Sequence, residues 1–133
     1  MTTLTGYSDA RPLRTAVRPR GRAAAIALWC AQAASAALFF VAGVSKLAGA
    51  AAMVQTFDAI GLGQWFRYLT GGIEAVSAVL LLVPSLAFFG AVVLIPTMIG
   101  AIITHVFVVG GNPVPAAVLL LATAGIAWAR RPR

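Results

Sequence analysis

Residues 75–129 read AVSAVLLLVPSLAFFGAVVLIPTMIGAIITHVFVVGGNPVPAAVLLLATAGIAWA, a run without a single Asp, Glu, Lys or Arg. A helix of about 20 apolar residues crosses the hydrocarbon core of a bilayer. With Trp65 to Glu74 added, the run is too long for one such helix and suits three. Two breaks divide it: Val83-Pro84-Ser85 marks a tight turn, and Gly110-Gly111-Asn112-Pro113 with Pro115 a looser one, since Pro and Gly punctuate regular structure. The spans expected here are residues 68–83, 88–108 and 115–129. Pro115 suits a first helical turn. Pro96, inside the 88–108 span, should bend it and leave a carbonyl one turn earlier without its donor. The last span is short and is expected to reach the interface through Trp128 and snorkelling arginines.

Towards the N-terminus, Ala23 to Ser45 also carries no charge and is long enough to span. A cleavable signal peptide competes, and Ala48-Gly49-Ala50 suits a peptidase, but the apolar core is too long and three more apolar segments follow. Residues 23–48 therefore form the first of four expected spans. Between Gly49 and Arg67, Met53, Phe57 and Ile60 recur at helical spacing, with Gln55 and Asp58 on other faces and Gly61 as the stop. This predicts a short helix lying at the membrane surface. Trp65, Phe66 and Tyr68 supply an interfacial aromatic belt, and Asp58 and Arg67 are expected to be solvated in the outer loop. The fold class is thus all-α: a four-helix transmembrane bundle over residues 23–133, with a short interfacial helix between the first and second spans. Residues 1–22 are expected to form a disordered, Arg-rich cytoplasmic tail.

Composition agrees with this. Of the 133 residues 61% are hydrophobic and 10% charged, against about 25% charged in ordinary globular proteins. So small a soluble fold could not hide that much apolar surface. The net charge of +7 is concentrated at the two ends, with Arg11, Arg14, Arg18, Arg20 and Arg22 before the first apolar run and Arg130, Arg131 and Arg133 after the last. Such ends are retained in the cytoplasm, beside anionic lipid headgroups. Nucleic-acid binding would need aromatic interleaving or a basic groove, and neither is present. The single cysteine, Cys30, allows no internal disulfide or Cys-x-x-Cys pair and reads as a small buried hydrophobe.

Four spans with both Arg-rich ends inside bring Lys46, Glu74 and His105 to one depth near the outer side. At about 100° per residue, Gln32, Ser35, Phe39, Gly43 and Lys46 form one stripe. Thr70, Glu74, Ser77 and Leu81 form a second, and Thr97, Gly100, Ala101, Thr104 and His105 a broader third. The simplest assembly turns all three stripes inward, with Thr70, Ser77 and Thr104 as supporting polar groups and the Thr123 helix as scaffold. A charge near mid-membrane costs about 2.5–3.5 kcal/mol on insertion scales, so Glu74 needs a partner or a proton. Lys46 is the expected partner, with His105 hydrogen-bonding nearby. Against this stand plainer readings, in which Lys46 snorkels and His105 is an interfacial histidine. One histidine and one acid fall short of a metal-ligand set.

At these same residues the chain resembles the DoxX-like family of small bacterial membrane proteins. The resemblance rests on Phe40-Val41-Ala42-Gly43-Val44-Ser45-Lys46-Leu47, on Gly71-Gly72-Ile73-Glu74 before the Leu80-Leu81-Leu82-Val83-Pro84 run, and on Met98-Ile99-Gly100-Ala101-Ile102-Ile103-Thr104-His105. Together these cover about residues 35–130. The resemblance implies a four-helix fold in a bacterial cytoplasmic membrane, with Lys46, Glu74 and His105 among recurrent polar positions. It also implies a link to membrane redox systems, including thiosulfate-to-quinone electron transfer, as a subunit beside soluble enzymes.

The leading expectation is therefore an accessory membrane subunit whose outward-facing polar pocket receives a quinone-like or other small amphipathic molecule. Glu74 and His105 would be its proton or hydrogen-bond partners, with Lys46 setting the local potential. No haem, flavin or iron–sulfur motif is visible, so an enzyme proper, a quinone-coupled oxidoreductase, is the alternative. A small-solute or proton transporter is another, and it would require a homo-oligomer. A purely structural anchor is the plainest.

Overall fold

The computed structural model describes residues 21–133. Of the tail expected over residues 1–22, residues 1–20 lie outside the described residues, and Arg22 is already helical. The described residues form five helices and no strand: α1 (Arg22–Leu47), α2 (Ala51–Ile60), α3 (Gln64–Leu82), α4 (Ala87–Phe107) and α5 (Val114–Arg130). The stop after α2 is Gly61, whose φ of 80° is a left-handed conformation that a side chain would strain. α3 begins at Gln64, earlier than the expected residue 68, and takes the aromatic belt into its first turns, because nothing from Gln64 to Tyr68 breaks a helix. It ends before Pro84, which has no N–H to continue the ladder. α4 continues through Pro96. Pro115 lies in the first turn of α5, and the Asn112 side-chain oxygen accepts from the Val114 N–H at 3.0 Å.

α1 packs on α3 and α5, and α4 packs on the same two helices. The four long helices therefore form a ring in which α1 and α4 are diagonal, and α2 lies across one end against α3 and α1. α1, α3 and α4 are each long and apolar enough to cross a membrane, while α5 is a shorter apolar helix of 17 residues. Large apolar side chains point outward around the ring, with Val41 63%, Phe107 79% and Leu121 74% exposed. Apolar surface on that scale is unfavourable in water and is at home in lipid.

Inside, Phe39, Leu81, Leu94 and Ile126 are buried together. Thr123, also fully buried, turns its hydroxyl back to the carbonyls of Leu119 (2.9 Å) and Leu120 (3.0 Å), as a scaffold residue would. Cys30 departs from expectation: it is exposed on α1 rather than buried, because it lies on the side of the helix away from the Gln32–Phe39–Gly43 face. Gln32 is the most consequential polar residue of the interior. Leu81 lies in the last turn of α3, where carbonyls lose their helical donors, and the Gln32 Nε2 donates to its oxygen at 2.6 Å. The other half of the same amide, Oε1, accepts from Arg130 Nε at 2.9 Å. One buried side chain thereby clasps α1, α3 and α5.

Candidate functional site

The site begins with two glycines. A Cβ on Gly43 would lie 2.7 Å from the Gly71 carbonyl oxygen, and one on Gly71 would lie 2.9 Å from Lys46 Cβ. Only bare Cα atoms allow α1 and α3 to cross this closely. The two helices run antiparallel, so Lys46 packs at the level of Gly71 and Gly43 at that of Ala75, and the long Lys46 side chain reaches Glu74, one turn on from Gly71. Lys46 Nζ lies 2.7 Å from Glu74 Oε2, with the side chains 15% and 3% exposed. Burial of this kind demands a partner for the carboxylate, and the ammonium supplies it.

A cavity of about 700 Å³ opens beside the pair. α3 contributes Leu69, Thr70, Ile73 and Glu74 to its wall, and α4 contributes Pro96, Gly100, Thr104 and His105. α3 and α4 touch closely at Gly90, where a Cβ would meet Leu80 Cβ at 2.9 Å, whereas a Cβ on Gly100 would meet nothing within 4 Å. The two helices are therefore tight at one end of the bundle and open at the other. α2 covers the open end with Met53, Phe57 and Ile60. The short helix expected over these residues turns its Met53–Phe57–Ile60 face to the cavity, and Phe57 is buried.

His105 shares the cavity wall but not the ion pair. Its Nδ1 is 2.8 Å from the Ala101 carbonyl oxygen. A carbonyl only accepts, so Nδ1 carries the proton, and in the neutral ring Nε2 is left as an acceptor. The Gly110–Gly111 turn packs against this ring: a Cβ on Gly111 would lie 2.9 Å from His105 Cδ2. Among the described residues no hydrogen bond joins His105 to Lys46 or Glu74. Thr70 and Thr104 line the cavity with hydroxyls turned to their own helices, at 3.0 Å from Phe66 O and 2.9 Å from Gly100 O. Ser77 lies outside the cavity, buried where its carbonyl meets Gly90.

Arg67 overturns its expected place. It is 4% exposed rather than solvated. It sits in the first turns of α3, facing the end of α1, where its Nη1 donates to the Lys46 carbonyl. Its Nε donates to Gln64 Oε1 at 2.5 Å, and Gln64 Nε2 donates to Asp58 Oδ1 at 2.6 Å. Asp58 is exposed, as expected. A cation at a helix C-terminus satisfies carbonyls that have no helical donor and complements the helix dipole. Arg67 thus holds the end of the helix that carries Lys46. Among the described residues no three His, Cys, Asp or Glu side chains gather as metal ligands would.

A ring of helices clad in exposed apolar side chains, enclosing an ion pair at one end, is the architecture of a small integral membrane protein. The chain belongs to the DoxX-like family, whose model matches residues 30–127 and so takes in Lys46, Glu74 and His105. Comparison with curated proteins and with solved structures gives no match.

Proposed function

We propose that this chain is a four-span accessory subunit of a bacterial cytoplasmic-membrane redox system, and that it holds a small amphipathic, quinone-like molecule in the cavity beside Lys46 and Glu74. The cavity carries this reading. Its size suits a small ligand, its wall is largely apolar, and its polar lining includes the Lys46–Glu74 pair and His105. Lys46 Nζ can donate to a ring carbonyl, and Glu74 and the Nε2 of His105 can accept from a hydroxyl. The apolar part of the molecule would lie against Leu69, Ile73, Val92 and Val93 between α3 and α4.

α5 acts as the fourth span, its 17 residues giving about 26 Å at 1.5 Å per residue. The balance to a hydrocarbon core of about 30 Å is made up by Trp128 and the arginines that follow. The Arg-rich ends face the cytoplasm and the cavity faces outward, as the distribution of Lys and Arg supports. Phe39, Leu81 and Leu94, all fully buried, fill the bundle beyond the pair. One protomer is thus closed on that side, which favours holding a ligand over conducting one. Electrons would be carried by a soluble partner enzyme.

The test is gentle purification in native lipid discs followed by mass spectrometry of bound proteins and small molecules. A quinone or similar amphiphile should accompany the parent chain and be depleted in Glu74→Gln at equal protein recovery. Equal small-molecule content in both would refute the assignment.

A further inference from the structure

We propose a second site, at the opposite end of the bundle, that binds the phosphate of an anionic phospholipid between Arg130 and Arg131 and beside Trp29 and Trp128. It is independent of the cavity and of its ligand. The first observation is an imbalance of charge. Among the described residues both acids, Asp58 and Glu74, lie at the α2 end, together with Lys46 and Arg67. Arg22, Arg130, Arg131 and Arg133 lie at the other end, where the described side chains include no carboxylate. That end therefore presents an excess of positive charge to its surroundings.

The second observation is that two of these four guanidinium groups are held in place. Arg130 donates through Nε to the fully buried Gln32 and lies over the Trp29 ring, 5.4 Å from its centroid. Arg131 lies 3.9 Å from the centroid of Trp128. Stacking occupies the face of a guanidinium and leaves its edge, with the terminal N–H donors, free for two-point binding of a phosphate. The pre-ordered geometry distinguishes Arg130 and Arg131 from Arg22 and Arg133, for which no such contact is found among the described residues.

The surroundings choose the source of the phosphate. Trp29 and Trp128 are exposed, and so are Ile26 on α1 and Leu121 on α5. Indoles flanking the cations at the end of an apolar surface mark the headgroup level of a membrane. An anion joined to acyl chains satisfies both the guanidinium edges and the indole faces. Inorganic phosphate satisfies only the first.

The chain contains three tryptophans, so in a Trp65→Phe background the emission reports on this end alone. The protein is reconstituted in phosphatidylcholine vesicles carrying a minor share of dibrominated phosphatidylglycerol, or the same share of dibrominated phosphatidylcholine. Quenching by the anionic lipid should be at least about twofold greater, given surface attraction worth severalfold enrichment per arginine. Arg131→Gln, which leaves the Gln32 bond untouched, should lose most of that excess. Arg130→Lys, which keeps the charge but not the planar fork, should lose more than half. Arg133→Gln removes the same charge outside the site and should keep the excess. Three results would overturn the proposal: equal quenching by both lipids, equal losses in Arg131→Gln and Arg133→Gln, or removal of the excess by millimolar inorganic phosphate. The last would mean a phosphate site filled from water.

Discussion

Replacing Lys46 with methionine keeps the length of the side chain and removes its charge, leaving Glu74, 3% exposed, without its mate. At a separation of 2.7 Å the gross attraction of the pair is about 6 kcal/mol for an effective dielectric constant of about 20. Desolvation of both ions offsets most of that, so the intact pair adds little net stability. Breaking it is different, because the stranded carboxylate keeps its desolvation cost and loses its compensation, typically about 3–5 kcal/mol. Lys46 is the more exposed partner, which places the expected loss near the lower end, about 3 kcal/mol. Lys46→Met combined with Glu74→Gln removes both charges and should fall within about 1 kcal/mol of the parent, giving a coupling energy above about 2 kcal/mol in the double-mutant cycle, larger by the loss in Glu74→Gln alone. Unfolding in mixed micelles of rising dodecyl sulfate content, followed by tryptophan emission, supplies all four stabilities. Lys46→Glu with Glu74→Lys keeps one charge of each sign and should regain the membrane accumulation lost by either single change. Single losses under about 0.5 kcal/mol, or losses that simply add, would refute the placement of these groups as a coupled, desolvated pair.

Four further outcomes are expected. Gly71→Leu must push against Lys46 Cβ and the Gly43 carbonyl, both within about 3 Å of the new Cβ, and should destabilise by about 1–3 kcal/mol in the same assay. Gly72→Ala, whose Cβ meets nothing within 4 Å, should be neutral or stabilising. Gln32→Leu strands the Leu81 carbonyl and the Arg130 Nε and should cost about 1–3 kcal/mol. Ile73→Trp should fill part of the cavity, halving or worse the small molecule recovered by mass spectrometry while leaving the unfolding midpoint close to that of the parent.

The helices were readable because lipid imposes a simple rule. A charge-free run must be helical if its backbone is to be satisfied, and Pro84, Gly61 and the Gly110–Pro113 stretch stop such runs wherever they occur. Lys46 and Glu74 were visible for a related reason: isolated ionisable residues in apolar runs are expensive and so attract one another. What was not readable depends on contacts between segments. Arg67 lies among aromatic and polar neighbours that suggest an exposed loop, and only the return of α1 against α3 buries it. Met53, Phe57 and Ile60 show their periodicity plainly, but a periodic stripe does not say whether lipid or a cavity receives it. Ser77 shares a stripe with Glu74, yet lies one turn closer to the Gly90 crossing, where the space between α3 and α4 has closed. Gly90 did not by itself mark that crossing in the sequence, since Gly100 on the same helix meets nothing within 4 Å.

The Gln32 clasp has a consequence for biosynthesis. Gln32 emerges from the ribosome early, and its Nε2 can meet the Leu81 carbonyl once α3 has entered the bilayer. Its Oε1 then waits for a donor that arrives only with the final helix. Docking of α5 is thus the step that completes the polar chain, and an assembly lacking that helix retains an unsated amide oxygen in its interior.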